Sequence, residues 1–267
     1  MFTWIRVVIL AASFMGASLA SQAEQPPIPA TLQVYCEPRP PFSYLQPDGQ
    51  VGGLGTVLVR AILEQAGFKG QFQLLPWARA VHMTLSHPNA LIYDIVRSKQ
   101  REHQYVWIGT PLLPPTEEWL YRQIGNESIA PRSVAEVRAS YSVCVLRNNI
   151  TEEILLNDGF EPGKNLIEAD SLNDCIQLVK THALSLLADV RFFRDPGADS
   201  KIHPGMEAIL MLPADSDQQI HAYLAANRDS SPQIIDRLQK AFKQLQASGQ
   251  LEQTLRQFEQ DYIHSHN

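Results

Sequence analysis

Charged residues in this chain gather just past three strand-like apolar runs. Leu32-Gln33-Val34-Tyr35-Cys36 leads into Glu37 and Arg39, Leu91 to Val96 into Arg97, Ser98 and Arg101, and Ala183 to Ala188 into Asp189 and Arg191. In an open parallel α/β sheet, ligands bind in the crevice beyond the carboxyl ends of the strands, so charges placed there face a crevice and not a core. Both signs are present, which suits a small zwitterionic or polar solute. An arginine can clamp a carboxylate bidentately, and backbone N–H groups at a helix start favour the same anion. Arg101, three residues after Ser98 at an expected helix start, is placed for that part or for a surface role. Asp189 closes an apolar run, where a charge needs a partner. It can neutralise a ligand ammonium or pair with Arg191 or Arg194. Trp77, Phe42 and Tyr44 can wall a ligand site or fill the core. Asn148, Asn149 and Thr151 lie between a strand and a helix start, as ligand contacts or as caps.

Catalytic and cofactor signatures do not accompany these charges. There is no G-x-S-x-G and no P-loop, and Gly52, Gly53 and Gly55 lack the spacing of G-x-G-x-x-G. The adjacent pairs Glu117–Glu118 and Glu152–Glu153 have side chains that diverge and make no dyad. No Cys-x-x-Cys or His-x-x-x-His spacing suggests a metal. No catalytic residue, metal or cofactor is therefore expected. The one acid–base candidate for a rival enzymatic reading is Glu37.

The N-terminus reads as an export signal. Arg6 precedes an apolar stretch, Val7 to Met15, followed by small residues with alternative cleavage sites at Ser18-Leu19-Ala20 and Ser21-Gln22-Ala23. The stretch is too short for a bilayer core, which takes roughly 20 residues. Removing residues 1–23 takes away Arg6 and no acid, so a net charge of −6 becomes −7. An acidic exported chain has no basic footprint for nucleic acid. An oxidising compartment permits a disulfide, and of Cys36, Cys144 and Cys175 the last two are the favoured pair, against three buried thiols.

The elements that must carry these residues follow from periodicity. Leu32–Cys36 is a strand. A helix runs from Thr56, with Leu58, Ala61 and Ile62 on one face and Gly67 as its C′ residue. Phe68 to Leu75 is a strand, Pro76 opens a helix through Trp77 and Ala80, and Leu91–Val96 is a buried strand. Strand–helix–strand–helix–strand implies right-handed crossovers and a parallel sheet. Glu117–Tyr121 reads as an extended crossing into a second α/β unit. There Ser133 to Arg138 is a helix, Ser142–Leu146 a strand, Glu152–Leu156 a helix start and Ser171 to Val179 a helix. Ala183–Ala188 and Ile209–Leu212 are strands, and His221–Ala226 is the return crossing. Ser231 and Pro232 open a strongly amphipathic helix along Ile234, Leu238, Ala241, Phe242 and Leu245. After Gly249 a second helix continues through Leu251, Leu255 and Phe258. The 244 residues left of 267 exceed one usual core. The expected organisation is α/β with two lobes: lobe 1 over 24–113 and 221–267, and lobe 2 over 114–220.

Several motifs resemble those of the periplasmic solute-binding proteins of ABC transporters, polar amino-acid type (family 3), with the type II periplasmic-binding fold. They are Pro40-Pro41-Phe42-Ser43-Tyr44, Gly67-Phe68, Leu75-Pro76-Trp77-Ala78-Arg79-Ala80, Arg97-Ser98-Lys99-Gln100-Arg101-Glu102 and the closing Leu238-to-Gly249 helix. The resemblance implies two lobes hinged around a cleft, a monomer in the periplasm, and capture of an amino-acid-like solute for an ABC-type membrane permease. It places Arg101 on the ligand carboxylate, Asp189 on the α-ammonium and Arg39 in the pocket wall beside Trp77, Phe42 and Ser98, with Asn149 and Thr151 as lobe 2 contacts. The chain departs from the family pattern at Asn148, where glycine is usual, and at Val96, where a small hydroxyl residue is usual. It also lacks the acidic residue common near Gly55, and Thr181-His182-Ala183-Leu184 replaces G-R-x-D. Relatives of this architecture resemble dehydratases or lyases, and a sensor or scavenger without a permease is a further alternative.

Overall fold

The computed structural model describes residues 29–113, 115–191, 196–212 and 220–264. The expected export signal and Arg194 lie outside them. The chain opens with β1 (Thr31–Cys36), β2 (Tyr44–Leu45), β3 (Val51–Gly52), α1 (Leu54–Gln65), β4 (Lys69–Leu74), α2 (Trp77–Ser86), β5 (Leu91–Val96) and β6 (Tyr105–Ile108). It continues through β7 (Glu117–Gln123), α3 (Val134–Ser140), β8 (Val143–Leu146), α4 (Ile150–Asn157), β9 (Leu166–Ala169), α5 (Leu172–Lys180), β10 (Leu186–Arg191), α6 (Pro196–Ile202) and β11 (Met206–Met211). It ends with β12 (Ala222–Asn227), α7 (Pro232–Ala247) and α8 (Gln250–His264).

Two five-stranded sheets result, in the orders β4-β1-β5-β12-β6 and β11-β7-β10-β8-β9. In the first, β1 runs parallel to β4 and β5, while β12 is antiparallel to β5 and β6. In the second, β8 is parallel to β9 and β10, while β7 is antiparallel to β10 and β11. Each sheet thus contains one antiparallel strand: β7 carries the chain into the second sheet, and β12 returns it to the first. The segments read as crossings are therefore integral strands.

Alternation sorts the side chains of the first sheet. Leu32, Val34 and Cys36 join Leu58, Ile62, Leu238 and Phe242 under α1 and α7, and Leu251, Leu255 and Phe258 of α8 pack on the same cluster. Tyr35, Ile92 and Ala225 face α2 through Trp77 and Ala80. In the second sheet the Cys144–Cys175 disulfide ties β8 to α5, and Cys36 is a buried free thiol. Among the described residues no helix is long and apolar enough to cross a membrane.

Some local expectations shift. The polar run 97–104 forms successive turns and not a helix, with Arg101 N–H on the Ser98 carbonyl and Gln104 N–H on that of Arg101. It has no apolar stripe with which to dock a helix. The strand expected at Ala183 begins only at Leu186, because the N–H groups of Ala183 and Leu184 turn back to the Leu178 carbonyl and close α5. Asp189 therefore lies inside β10, opposite Trp119 of β7. Ser231 occupies the N-cap position of α7 without a side-chain cap bond. Its N–H donates instead to Asn89 Oδ1 at 2.8 Å.

Candidate functional site

Arg39 is positioned by a tight turn. Its N–H donates to the Ser43 carbonyl and its carbonyl accepts from Phe42 and Ser43, while Ser43 Oγ donates to the Glu37 carbonyl at 2.6 Å. The turn sits on the start of α1, whose Leu54 and Gly55 N–H groups donate to Pro41 and Phe42. Gly53, at φ +106, permits that approach, since a Cβ there would lie 2.3 Å from the Phe42 carbonyl oxygen.

Arg39 so placed is 5 % exposed as a whole residue, and its guanidinium reaches both lobes. Nε donates to Glu37 Oε1 at 2.8 Å, and Nη1 donates to both oxygens of Asp189 at 3.2 and 3.0 Å. His203 Nε2 lies 3.0 Å from Asp189 Oδ2 and its Nδ1 lies 3.3 Å from Asp199 Oδ1. Tyr121 donates to Asp199 at 3.1 Å and stacks on the His203 ring at 4.1 Å. Burial alone would raise the Asp189 carboxyl, but Arg39 and His203 overcome it and hold the group at about 2. Burial opposes the imidazolium of His203, yet its bonds to Asp189 and Asp199 raise it. Asp189 pairs across to Arg39 and His203, and Arg191 lies over the Trp119 ring.

A second set of contacts joins the lobes at Asn148, which has a left-handed backbone at φ 60. Its carbonyl accepts from Trp77 Nε1 and from Arg101 Nη2, each at 2.7 Å. Arg101 Nη1 also donates to the Val96 carbonyl at 3.2 Å, and Ser98 Oγ donates to Glu153 at 3.0 Å. Asn149 caps α4 through Glu152 N–H at 2.9 Å. Thr151 donates to Glu118 Oε2 at 2.5 Å.

Between the two sets lies a cavity lined by Arg39, Trp77, Asp94, Arg101, Glu118 and Thr151, among others. It leaves ≈ 40 Å³ for the centres of water-sized spheres, so it has room for a small solute and not a polypeptide. Of its three acids Glu118 is buried, and Glu37 and Asp94 are half-buried. Burial raises Glu37, and it pushes Asp94 to about 7 with the Glu37 charge adding to it. Burial also takes Glu118 to about 7, although the Thr151 hydroxyl pulls the other way.

Of the residues read from sequence, Arg39, Trp77, Arg101, Asn149 and Thr151 line this cavity. Phe42 does not: it is 4 % exposed and belongs to the core under α1. Ser98 is spent on Glu153, and Asp189 on Arg39 and His203. Asp94, Glu118 and His203 were not anticipated. Asp94 had a signal, as the single acid inside the apolar run Leu-Ile-Tyr-Asp-Ile-Val. His203 had none, since nothing local links it to Asp189. No group of three or more His, Cys, Asp or Glu among the described residues could hold a metal ion.

Two lobes, each a mostly parallel sheet flanked by helices and meeting at a polar cleft, define the class of two-lobe periplasmic binding proteins. The chain belongs to the bacterial extracellular solute-binding proteins, family 3, whose pattern it matches over residues 32–261. No curated protein matches it. Among solved structures it is similar to a histidine kinase sensor domain with similarity to periplasmic binding proteins, at 17% identity and TM-score 0.71, covering 85% of this chain and 95% of that one. It is similar to an ancestral arginine-binding protein bound to arginine, at 16% identity and TM-score 0.70, with 86% and 98% covered. A third is an ancestral amino-acid-binding protein, a precursor of cyclohexadienyl dehydratase, at 13% identity and TM-score 0.67, with 86% and 95% covered. These likenesses are of fold.

Proposed function

We propose that this protein captures a small polar, amino-acid-like solute between its lobes in the periplasm and delivers it to an ABC-type permease, acting as a monomer. The observation that carries the reading is the Asn148 carbonyl of one lobe, clasped by Trp77 and Arg101 of the other beside a cavity of mixed charge. A site closed by hydrogen bonds from both lobes is one that a solute can stabilise by differential affinity, through hinge closure. Arg101 is the anchor for an anionic group, and Trp77, Arg39, Asn149 and Thr151 shape the wall. Asp189 acts by holding Arg39 and His203. The disulfide fits an oxidising compartment.

Thermal shift against amino acids, amines and small organic acids tests this, because a ligand that binds the native state raises apparent stability. At least one polar solute is expected to bind, and Arg101→Ala to weaken it at least tenfold, about 1.4 kcal/mol. A panel without a single stabilising solute overturns the proposal.

A second reading has one observation in its favour. Carboxyls held near neutrality, as Asp94 and Glu118 are, suit general acid–base work. Dehydratase- or lyase-like turnover of a small acid by the purified protein would establish it. A solute recovered unchanged after long incubation with the protein would rule it out for that solute.

A further inference from the structure

Strand β5 breaks its own alternation at one residue. Leu91 and Tyr93 face the core under α1, and Ile92 faces α2, yet Ile95 shares the face of Ile92. Against β12, Tyr93 pairs with Leu224 and Ile95 with Tyr223, so Asp94 is an extra residue with no partner in the ladder. Its backbone is left-handed at φ 58, a conformation that few residues with a Cβ adopt, aspartate and asparagine being the usual exceptions. This is a β-bulge, a device that re-aims a side chain and is common beside functional sites.

The bulge turns the carboxylate of a cavity-lining residue toward the start of α1. Part of residue 94 touches solvent, but both carboxylate oxygens are sealed from it, and neither has a hydrogen-bond partner. Gly55 leaves the room, since a Cβ there would lie 2.8 Å from each of those oxygens. Across the cleft, Glu118 of β7 is 1 % exposed and lines the same cavity. Its Oε2 accepts from Thr151, and its Oε1 has no partner. A buried acceptor without a donor is costly, and two of them lining one cavity on opposite lobes point to a donor-rich cation.

We propose that Asp94 and Glu118 form an acidic subsite that holds an ammonium or guanidinium group of the solute, in place of Asp189, which Arg39 and His203 already occupy. The inference rests on the binding reading above and narrows its ligand class to small organic cations. Closure brings the Glu118 carboxylate of lobe 2 to a cation seated on Asp94 of lobe 1. The groups that face the pair are few. Asp94 feels Glu37 and Arg39, with Cys36 and Tyr93 alongside, while Glu118 feels Asp189, Arg39 and His203. A bound cation draws both carboxyls into the ionised form, so binding takes up cation and releases protons.

The experiment is calorimetry on the mature chain at pH 8 and pH 6 with arginine, ornithine, agmatine and putrescine, beside glutamine and glutamate. The cationic solutes are expected to bind more tightly than glutamine and glutamate, and more tightly at pH 8 than at pH 6. Asp94→Asn and Glu118→Gln are each expected to weaken them at least tenfold and so to shrink their advantage over glutamine. Thermal melts of the ligand-free variants check folding, and both should melt no lower than the parent, since each removes an unsatisfied buried acid. If glutamine or glutamate binds best, or if cation affinity survives both substitutions, the subsite is wrong while solute capture stands. If no member of this panel or of the wider solute panel binds, both readings fall.

Discussion

Arg39, in the turn after β1, donates from one nitrogen to both carboxylate oxygens of Asp189 in β10, 150 residues further along the chain. Neither side chain has appreciable exposure, at 6 % and 0 %. The pair bridges the two lobes, and on the Asp189 side it occupies the acceptor that a ligand ammonium would otherwise use. It stabilises the closed arrangement from within the protein.

Breaking that bridge on one side leaves a buried charge short of its partner. Arg39→Met is expected to cost about 3–5 kcal/mol, read as a lower midpoint in urea unfolding. Arg39→Lys should recover little, since an ammonium cannot reproduce the fork that reaches Glu37 and Asp189 together. A loss below about 1 kcal/mol would show the bridge to be dispensable.

Trp77 holds the clasp by a single donor. Trp77→Phe keeps the apolar wall and removes the indole N–H from the Asn148 carbonyl, which Arg101 continues to engage. A loss of about 1 kcal/mol is expected, seen as a roughly fivefold weaker solute affinity with the fold intact. X-ray scattering of the free protein should show a larger radius of gyration. An unchanged radius and affinity together would place closure elsewhere.

The ligand-free protein should gain stability as pH falls from 8 towards 5. Asp94, Glu118 and Glu152 are raised to about 7 by burial first, and Glu37 and His203 are raised as well. Groups raised on folding give stability that is full below their unfolded values and lost as pH climbs through the folded ones. Asp189, lowered to about 2, has the opposite sign and gives way only below about pH 4. A melting-temperature profile should therefore peak between about pH 4 and 6. In an Asp94→Asn, Glu118→Gln double variant the slope from pH 5 to 8 should flatten. A profile that rises from pH 5 to 8 contradicts the assignment.

Cys144 and Cys175 close a loop with a sequence separation of 31. Chain entropy assigns such a crosslink about 3–4 kcal/mol, so a Cys144→Ala, Cys175→Ala variant should unfold at distinctly lower denaturant. Reducing agent should act on the parent alone. Equal midpoints with and without reductant would show that the bond does not form in solution.

Apolar periodicity carried most of the fold. The runs Leu32–Cys36 and Leu91–Val96, the α1 face and the α7 stripe were all readable because burial on one face repeats at 2 or 3.6 residues. The four-residue strands β6 and β9 do not stand out, whereas β8, of the same length, does because it is wholly apolar, with no side-chain nitrogen or oxygen. Position relative to strand ends likewise placed Arg39 and Arg101 at the cleft, and the lobe 2 turn Asn149 and Thr151. Who pairs with whom was decided only by the tertiary structure. Arg39 meets Asp189 and His203 because two separate sheets bring them together, and an ion pair depends on that distance and not on neighbouring sequence. Asp94 stood in plain view as an acid in an apolar strand. That it lines the cavity follows from a bulge, a slip of one residue against β12 that no pattern within β5 reveals.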